Sequence, residues 1–411
     1  MATSVLADYL NTTREAQRKN LEFLGNKSYW LDKNFQVGAQ AHGGEPLVWQ
    51  SFQTALPESA NFSEENADDP TPVSPTFDKG KVYIKKLITK MQYSEETVNL
   101  NRGDEAIIKD LLNLRNGTLA SYNLLKEFSI HTPGSGVLGQ ATGAPTGHVI
   151  PVDDIRWFRK GMVIDGYNTN SEILLAAVIT AVDVANKTIT VTDPDGHIAS
   201  VTSSTKFYYT LSFQGAAETI SATKFTNGIE TICSGTDPAY GYFMGVQRSA
   251  YPYMQCTHTH GTVPGTPEAF TIDRMIALLD LADTTVGPEY MPNLAYVSNG
   301  VFNNIYKTFK NEQQPTINMP AKDGLPEGLQ FQYGSQTIRI VKSRFGVPHA
   351  ILFPNLKHIF KYTGGTEGWQ TMAGQVQQVA NKQAFSEVYR GWRNWGTDFP
   401  ESNLAMFDVL D

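Results

Sequence analysis

The strongest periodic signal in the chain runs from residue 102 to residue 129. Ile107, Ile108, Leu111, Leu114, Leu119, Tyr122, Leu125 and Phe128 recur at helical spacing and form a broad apolar stripe. Asp104 and Glu105 stand at its start, where the helix dipole favours acid. At about 1.5 Å per residue the predicted helix is roughly 40 Å long. Gly117, near its middle, marks either a weak point or a place of close packing. A glycine-rich stretch, HTPGSGVLGQATGAPTG, follows the helix.

Before and after that helix the period is two. PLVWQSFQ reads as one strand, and KVYIKKLITKMQYSEE as a second, longer one with lysines on outward positions. Between them lies ALPESANFSEENADDPTPVSPTFDKG, rich in Pro, Ser, Asn and acids. A loop that long is rare in a compact body and is usually functional, so residues 46 to 98 predict an extended hairpin. Residues 148 to 212 predict a small barrel or sandwich, with strands GMVIDGY, ILLAAVITAVDV and KTITVTD, then ASVTSS and KFYYTLSF. Residues 215 to 411 are mixed. A helix capped by Thr271 carries Met275, Ile276, Leu278, Leu279 and Leu281. Strand NLAYVSN, helix GVFNNIYKTFKNEQ and strands QTIRIVKS, AILFPN, EVYRGWRNWG and NLAMFDVLD complete the order. Residues 1 to about 40 are a polar arm whose Leu6, Leu10, Leu21, Phe23 and Leu24 are too scattered to bury much without a neighbour.

Composition narrows the function. With 411 residues, 41% hydrophobic and 18% charged, the chain is globular and long enough for a sizeable core. A formal net charge of -8 argues against tight binding to nucleic acid. The two cysteines, Cys233 and Cys256, are too few for a disulfide framework and read as buried thiols. The first residues lack the order of a secretory signal, and no apolar run approaches the ~18 residues of a membrane helix. The expectation is a soluble protein made in the cytoplasm, with no membrane partner.

Two motifs imitate chemistry. Gly134-Ser135-Gly136-Val137-Leu138-Gly139 satisfies the dinucleotide G-x-G-x-x-G spacing, with Asp153 and Asp154 about 20 residues on. That motif needs a strand before it and a helix after it, whereas here a helix precedes it, so a flexible connection is expected. His258 and His260, beside Cys256, are spaced to share one face of a strand, but no further cluster of ligands lies nearby. No Gly-x-Ser-x-Gly elbow, His-Glu-x-x-His pair or Walker loop occurs. The expectation is a non-enzyme with no catalytic, cofactor-binding or metal residues.

Contact chemistry is better represented. The run Glu64-Glu65-Asn66-Ala67-Asp68-Asp69 is either solvated loop or a partner for a basic surface. Lys81, Lys85, Lys86 and Lys90 at the hairpin base, and Arg390, Trp392, Arg393 and Trp395 along a late strand, are the candidate subunit contacts. For the late strand, the competing reading is packing against the long helix.

The order of elements resembles that of the major capsid proteins of tailed phages, the Hong Kong phage-type fold shared with herpesvirus shells. The likeness covers nearly the whole chain. The segment Gly245-Val246-Gln247-Arg248-Ser249-Ala250-Tyr251-Pro252 is similar to a pattern that recurs in that family before its axial domain. GVLGQATGAP resembles the turn after the family's spine helix, and the closing strands resemble the family's end. The resemblance implies an α+β chain with these parts: arm 1–40, extended hairpin 41–101, peripheral spine helix and turn 102–147, inserted β-barrel-like module 148–214, peripheral strands 215–265, axial domain 266–384 and returning strands 385–411. It further implies self-assembly into homo-hexamers and homo-pentamers of an icosahedral virion shell, formed in the host cytoplasm. Portal, scaffold and decoration proteins would be partners, and packaged DNA would be touched only weakly and non-specifically. The β module departs from the family's minimal pattern. Two other classes stand beside this reading: another phage structural or adhesin-like protein whose β module binds carbohydrate, and a nucleotide-dependent enzyme built on the Gly134 loop.

Overall fold

The computed structural model describes residues 30–38, 47–55, 74, 76–94, 104–168, 171–192, 196–209, 226–235, 242–311, 318–319, 328–365, 367–370, 377–378 and 384–411. The chain is a mixed α+β structure. The spine helix spans Asp104–His131. Leu119, Tyr122, Phe128 and Ile130 on it are buried, whereas Leu114 is exposed. A Cβ at Gly117 would meet open space, so this glycine marks neither close packing nor a break. The helix stops where Thr132 turns its hydroxyl back to the carbonyl of Phe128, at 2.8 Å, and Pro133 follows.

The spine helix lies against a sheet built around the long strand Ala384–Thr397. On one side that strand pairs antiparallel with Lys85–Ser94, from Lys85↔Arg393 to Ser94↔Ala384. On the other it pairs with Ile359–Thr363, Gly368–Gln370 and Gln377–Gln378. The strand expected over 81–96 is in fact two. Thr76–Tyr83 forms the hairpin with Leu47–Ala55, and Lys85–Ser94 belongs to the long-strand sheet. The break falls at Ile84, whose side chain is buried in the core where the chain passes from hairpin to sheet. Most of the expected hairpin tip, including the acidic run, lies outside the described residues.

The expectation for the arm needs correction at its end. Residues 1–29 lie outside the described residues. Trp30–Asn34 is a short helix, and Gln36–Val37 adds a parallel strand to Ile359–Thr363. Leu31 and Phe35 are buried in the same apolar cluster as Ile84, Tyr362 and Trp395. Sequence pattern missed this because two docking residues in a short segment have no measurable period.

Residues 139–209 form six strands in the order Gly139–Gln140, Lys206–Tyr209, Val163–Asn168, Ser171–Asp183, Thr188–Val191, Val149–Pro151. The first and last meet through the Ala141↔Val152 bridge and the bonds Thr142 N to Pro151 O and Asp153 N to Gln140 O, so the ring closes into a small barrel. The Gly-rich stretch therefore contributes a strand as well as a connection. ASVTSS, expected as a strand, is instead a 3₁₀ turn at Ile198–Ser200 followed by loop, and residues 210–213 lie outside the described residues. Ile150, Ile164, Leu174, Ala177, Ile179, Ile189 and Phe207 fill the interior.

The remaining sheet has seven strands: Thr257–Thr259, Leu404–Phe407, Ala350–Phe353, Leu294–Val297, Gln336–Lys342, Gly328–Tyr333 and Asn318–Met319. Helices Ile272–Val286 and Asn299–Asn311 bury Met275, Leu278, Leu279, Val301, Ile305 and Phe309 in its apolar cluster. The Thr271 hydroxyl accepts a hydrogen bond from Arg274 N at 3.4 Å, as the capping pattern predicts.

Candidate assembly face

Alternation along two paired strands sorts the candidate contacts. In the antiparallel register Lys86 stands opposite Trp392, Ile88 opposite Arg390 and Lys90 opposite Val388. Side chains two apart share a face, so these six residues line one surface of the sheet. Lys86, Ile88 and Lys90 are exposed, and Val388, Arg390 and Trp392 are half-buried. The Lys86 ammonium lies 5.9 Å from the centre of the Trp392 ring. The result is an apolar strip of Ile88, Val388 and Trp392 bordered by three cations. Beyond it, Lys85–Ser94 is an edge strand: among the described residues no strand pairs with its other side. Lysines on such an edge repel a second copy of the same edge, while leaving it open to an acidic segment.

The opposite face of the same strands looks inward. Arg393 and Trp395 are 2% and 1% exposed, so the structure places both inside the subunit rather than on its surface. For these two residues packing within the subunit replaces the expected contact with a neighbour. Tyr389 meets Tyr122 of the spine helix edge-to-face at 4.7 Å. Glu387 accepts from Arg115 Nη2 at both carboxylate oxygens, 2.7 and 2.5 Å, and both side chains are buried. Further along, Asp32 lies 2.5 Å from Lys126 Nζ, 3.1 Å from Lys361 Nζ and 3.7 Å from Arg393 Nη1. Arg393 also pairs with Glu367. Burial alone would raise the Asp32 carboxyl, but Lys126, Arg393 and Lys361 overturn that and hold it well below the usual carboxylate range. Burial, with Arg393 nearby, brings the Lys126 ammonium down to about 8 against the pull of Asp32. This buried cluster fastens the Trp30–Asn34 helix to the spine and the sheet.

Lys81 stands apart. It lies in the hairpin opposite Trp49, and its backbone N–H donates to Met244 O at 2.6 Å. Lys85 is partly buried, its ammonium 5.7 Å from the Tyr83 ring, and burial lowers its affinity for the proton. The structure thus brings Lys86, Lys90, Arg390 and Trp392 together and separates Lys81, Lys85, Arg393 and Trp395 from them.

The two imitative motifs resolve into structural roles. The Gly134 loop follows a helix and enters strand Gly139–Gln140, the reverse of the order a phosphate cradle requires. Gly134 and Gly136 take positive φ of 79° and 75°, the reason glycine stands there. His260 Nδ1 is 3.0 Å from Asp408 Oδ2, and His258 Nδ1 is 3.1 Å from Cys256 O. Among the described residues no group of three His, Cys, Asp or Glu side chains could hold a metal ion. Cys233 and Cys256 are both buried, and burial pushes the Cys256 thiol up to about 11.

A spine helix over a sheet, a hairpin and a seven-stranded sheet form one architecture. No family model matches the chain, and no curated protein does. Among solved structures it is similar to the capsid asymmetric unit of cyanophage A-1(L), with a TM-score of 0.55 at 11% identity, covering 94% of this chain and 95% of that one. The chain has the tailed-phage major capsid fold. Weaker similarities accompany that match: the capsid of the native GTA particle, TM-score 0.46 at 8% identity over 93% of this chain and 91% of that one, and Mycobacterium phage Bobi, TM-score 0.41 at 9% identity over 93% and 91%. In this capsid fold, at such low identity, what is shared is the path of the backbone, and the chemistry of the Lys86, Lys90, Arg390 and Trp392 face belongs to this chain.

Proposed function

We propose that the chain is a shell subunit that assembles with copies of itself into hexamers and pentamers of an icosahedral head enclosing double-stranded DNA. The observation that carries this reading is the full-length likeness to the cyanophage capsid structure. The length of the hairpin supports it. Nine residues of strand at ~3.3 Å each extend it about 30 Å, far enough to overlie a neighbour. The parts of the subunit would be an arm before Trp30, the hairpin, the spine helix, an inserted β module, peripheral strands, an axial domain and returning strands.

The face of Lys86, Lys90, Arg390 and Trp392 is the contact we assign to a second copy, without Lys81 and Lys85. Its cations complement the acidic run Glu64–Asp69 of another subunit's hairpin, and Ile88 and Trp392 supply apolar area. Contacts of this head-to-tail kind close into rings. Each is weak and together they are cooperative. Portal, scaffold and decoration proteins would meet the finished or growing shell. Packaged DNA would be held loosely, as the net charge of -8 favours.

The test is negative-stain electron microscopy and sedimentation of the purified chain, with the K86E/K90E variant alongside. Closed shells, tubes or rings of five and six from the parent, lost or reduced in the variant, are expected. A uniform small oligomer at every salt and concentration, with or without added scaffold, would overturn the reading. Parent-like particles from the variant would remove this face from it.

A further inference from the structure

Four aromatic side chains stack where the barrel, the spine helix and the seven-stranded sheet converge. Trp157 of the barrel lies on Phe345, centroids 5.0 Å apart and planes 3° from parallel. His131, the last residue of the spine helix, stacks on Phe345 at 5.7 Å and on Tyr296 at 5.2 Å. Tyr296 belongs to strand Leu294–Val297, and Phe345 to the loop after strand Gln336–Lys342. All four residues are buried. Phe128 of the spine helix adds an edge-to-face contact to Trp157 at 5.1 Å.

Beside this column is a directional lock. Arg156 Nη1 donates to the carbonyl oxygens of Phe345, at 2.7 Å, and Gly346. Its Nε and Nη2 donate to the Asp154 carboxylate at 2.9 and 2.6 Å, which fixes the plane of the guanidinium. The loop it grips has little room to move. Ser343 N donates to Val297 O at 2.9 Å, and a Cβ on Gly346 would collide with the backbone of Val297 and Ser298.

Elsewhere the long-strand sheet and the seven-stranded sheet are joined by two chain crossings and by the segment around the helix Ile229–Cys233, where Asn227 N donates to Asn394 Oδ1 at 2.8 Å and Cys256 Sγ to Ile232 O at 2.7 Å. The chain crosses between them at residues 354–358 and 398–403, and these two segments lie together. Asn355 N donates to Asn403 Oδ1 at 2.9 Å, and His358 Nδ1 is 2.9 Å from Asp398 Oδ1. The shared cluster of Val347, Ala350, Leu352, Ala405, Tyr362 and Trp395 holds the sheets in contact. Apolar burial is non-directional, so it opposes separation far more than sliding or rotation. These joints share one apolar cluster, so rotation about it is limited most by a second grip on both sides outside that cluster.

We infer that the barrel is that second grip, a clamp that sets the angle between the two sheets through Arg156 and Trp157. It takes hold of the seven-stranded sheet at Phe345 and Gly346, and of the long-strand layer through the end of the spine helix. In this role its work is internal to the subunit and requires no ligand. In a shell, the angle it fixes would be one determinant of how sharply the surface curves.

Hydrogen exchange on the unassembled chain tests the clamp independently of the shell reading. In R156A, amides of residues 343–347 are expected to exchange at least about tenfold faster, because a charged hydrogen-bonding group is removed. Strands Ile359–Thr363 and Ala384–Thr397 are expected to keep parent rates. R156K, which retains charge but cannot fork, is expected to fall between the two and covers the case in which R156A fails to fold. Unchanged exchange at 343–347 in R156K and R156A, or equal acceleration of every strand, overturns the clamp. A chain that shows the local pattern yet never forms shells keeps the clamp and overturns the assembly reading alone.

Discussion

Buried charge is the feature of this chain most exposed to single substitutions. Arg115 and Glu387 are both out of solvent and joined by two hydrogen bonds, so each neutralises a charge that would otherwise be stranded. Removing one partner of such a pair costs about 3–5 kcal/mol, whereas replacing both by apolar residues of similar volume is often neutral. R115M is therefore expected to lose several kcal/mol in urea denaturation of the soluble subunit, and R115M/E387M to recover most of it. Equal losses in the single and double variants would show that the two residues do not act as a unit. Glu230 behaves differently. Burial pushes its carboxyl up to about 7, with Arg156 opposing and Asp154 reinforcing the shift. A carboxyl raised in the folded state favours folding fully below its unfolded value near 4.5, and that contribution is lost as pH rises through about 7. Thermal melts should therefore show E230Q gaining on the parent between pH 5 and pH 8, with a flatter profile. Parallel profiles would mean that Glu230 is ionised throughout this range.

At the scale of elements, a tight joint lies between the end of the spine helix and the short helix Ile229–Cys233. Gly228 precedes that short helix, and a Cβ there would land on the carbonyl oxygen of Thr132. G228A must push the two helices apart and disturb the bonds from Thr231 Oγ1 to Pro133 O and from Thr226 Oγ1 to Ser129 O. The expected cost is about 1–3 kcal/mol or more, read as a lower midpoint in chemical denaturation. An unchanged midpoint would show that the joint yields without strain. Sequence pattern could not have foreseen this, because a glycine chosen for close approach looks like any loop glycine. Long periodic elements were legible: the spine helix, the Thr271 helix and strands 294–297, 336–342 and 350–353 all follow from spacing. Strands such as Ile359–Thr363, Gly368–Gln370 and Gly328–Tyr333 were not, since their order comes from pairing with distant partners. The candidate face was half legible. Lys86, Lys90, Arg390 and Trp392 share a surface, but which of the alternating Arg and Trp residues turn inward depends on where the spine helix lies.

For the molecule as a whole, the decisive boundary runs through the arm. Leu31, Asp32 and Phe35 belong to the core of the folded subunit, and Asp32 offsets three cations, Lys126, Lys361 and Arg393. Residues before them have a polar, weakly apolar composition, and the arm role assigned to them is a proposal. Two truncations separate these roles. Deletion of residues 2–28 should leave the denaturation midpoint of the subunit unchanged while lowering the yield of closed particles. Deletion through residue 35 should lower the midpoint as well, because Lys126, Lys361 and Arg393 lose their shared carboxylate and the apolar cluster loses Leu31 and Phe35. D32N should reproduce the electrostatic part of that loss, about 3 kcal/mol, without removing any of the arm. The two readouts, midpoint and particle yield, then separate the cause. Closed shells at full yield from the 2–28 deletion would remove the arm from assembly. An unchanged midpoint in D32N would mean that Glu367 and solvent suffice for the three cations. If both expectations hold, the arm has a fixed root that belongs to folding and a free part that belongs to assembly. Changes on either side of Trp30 should then move one property without the other.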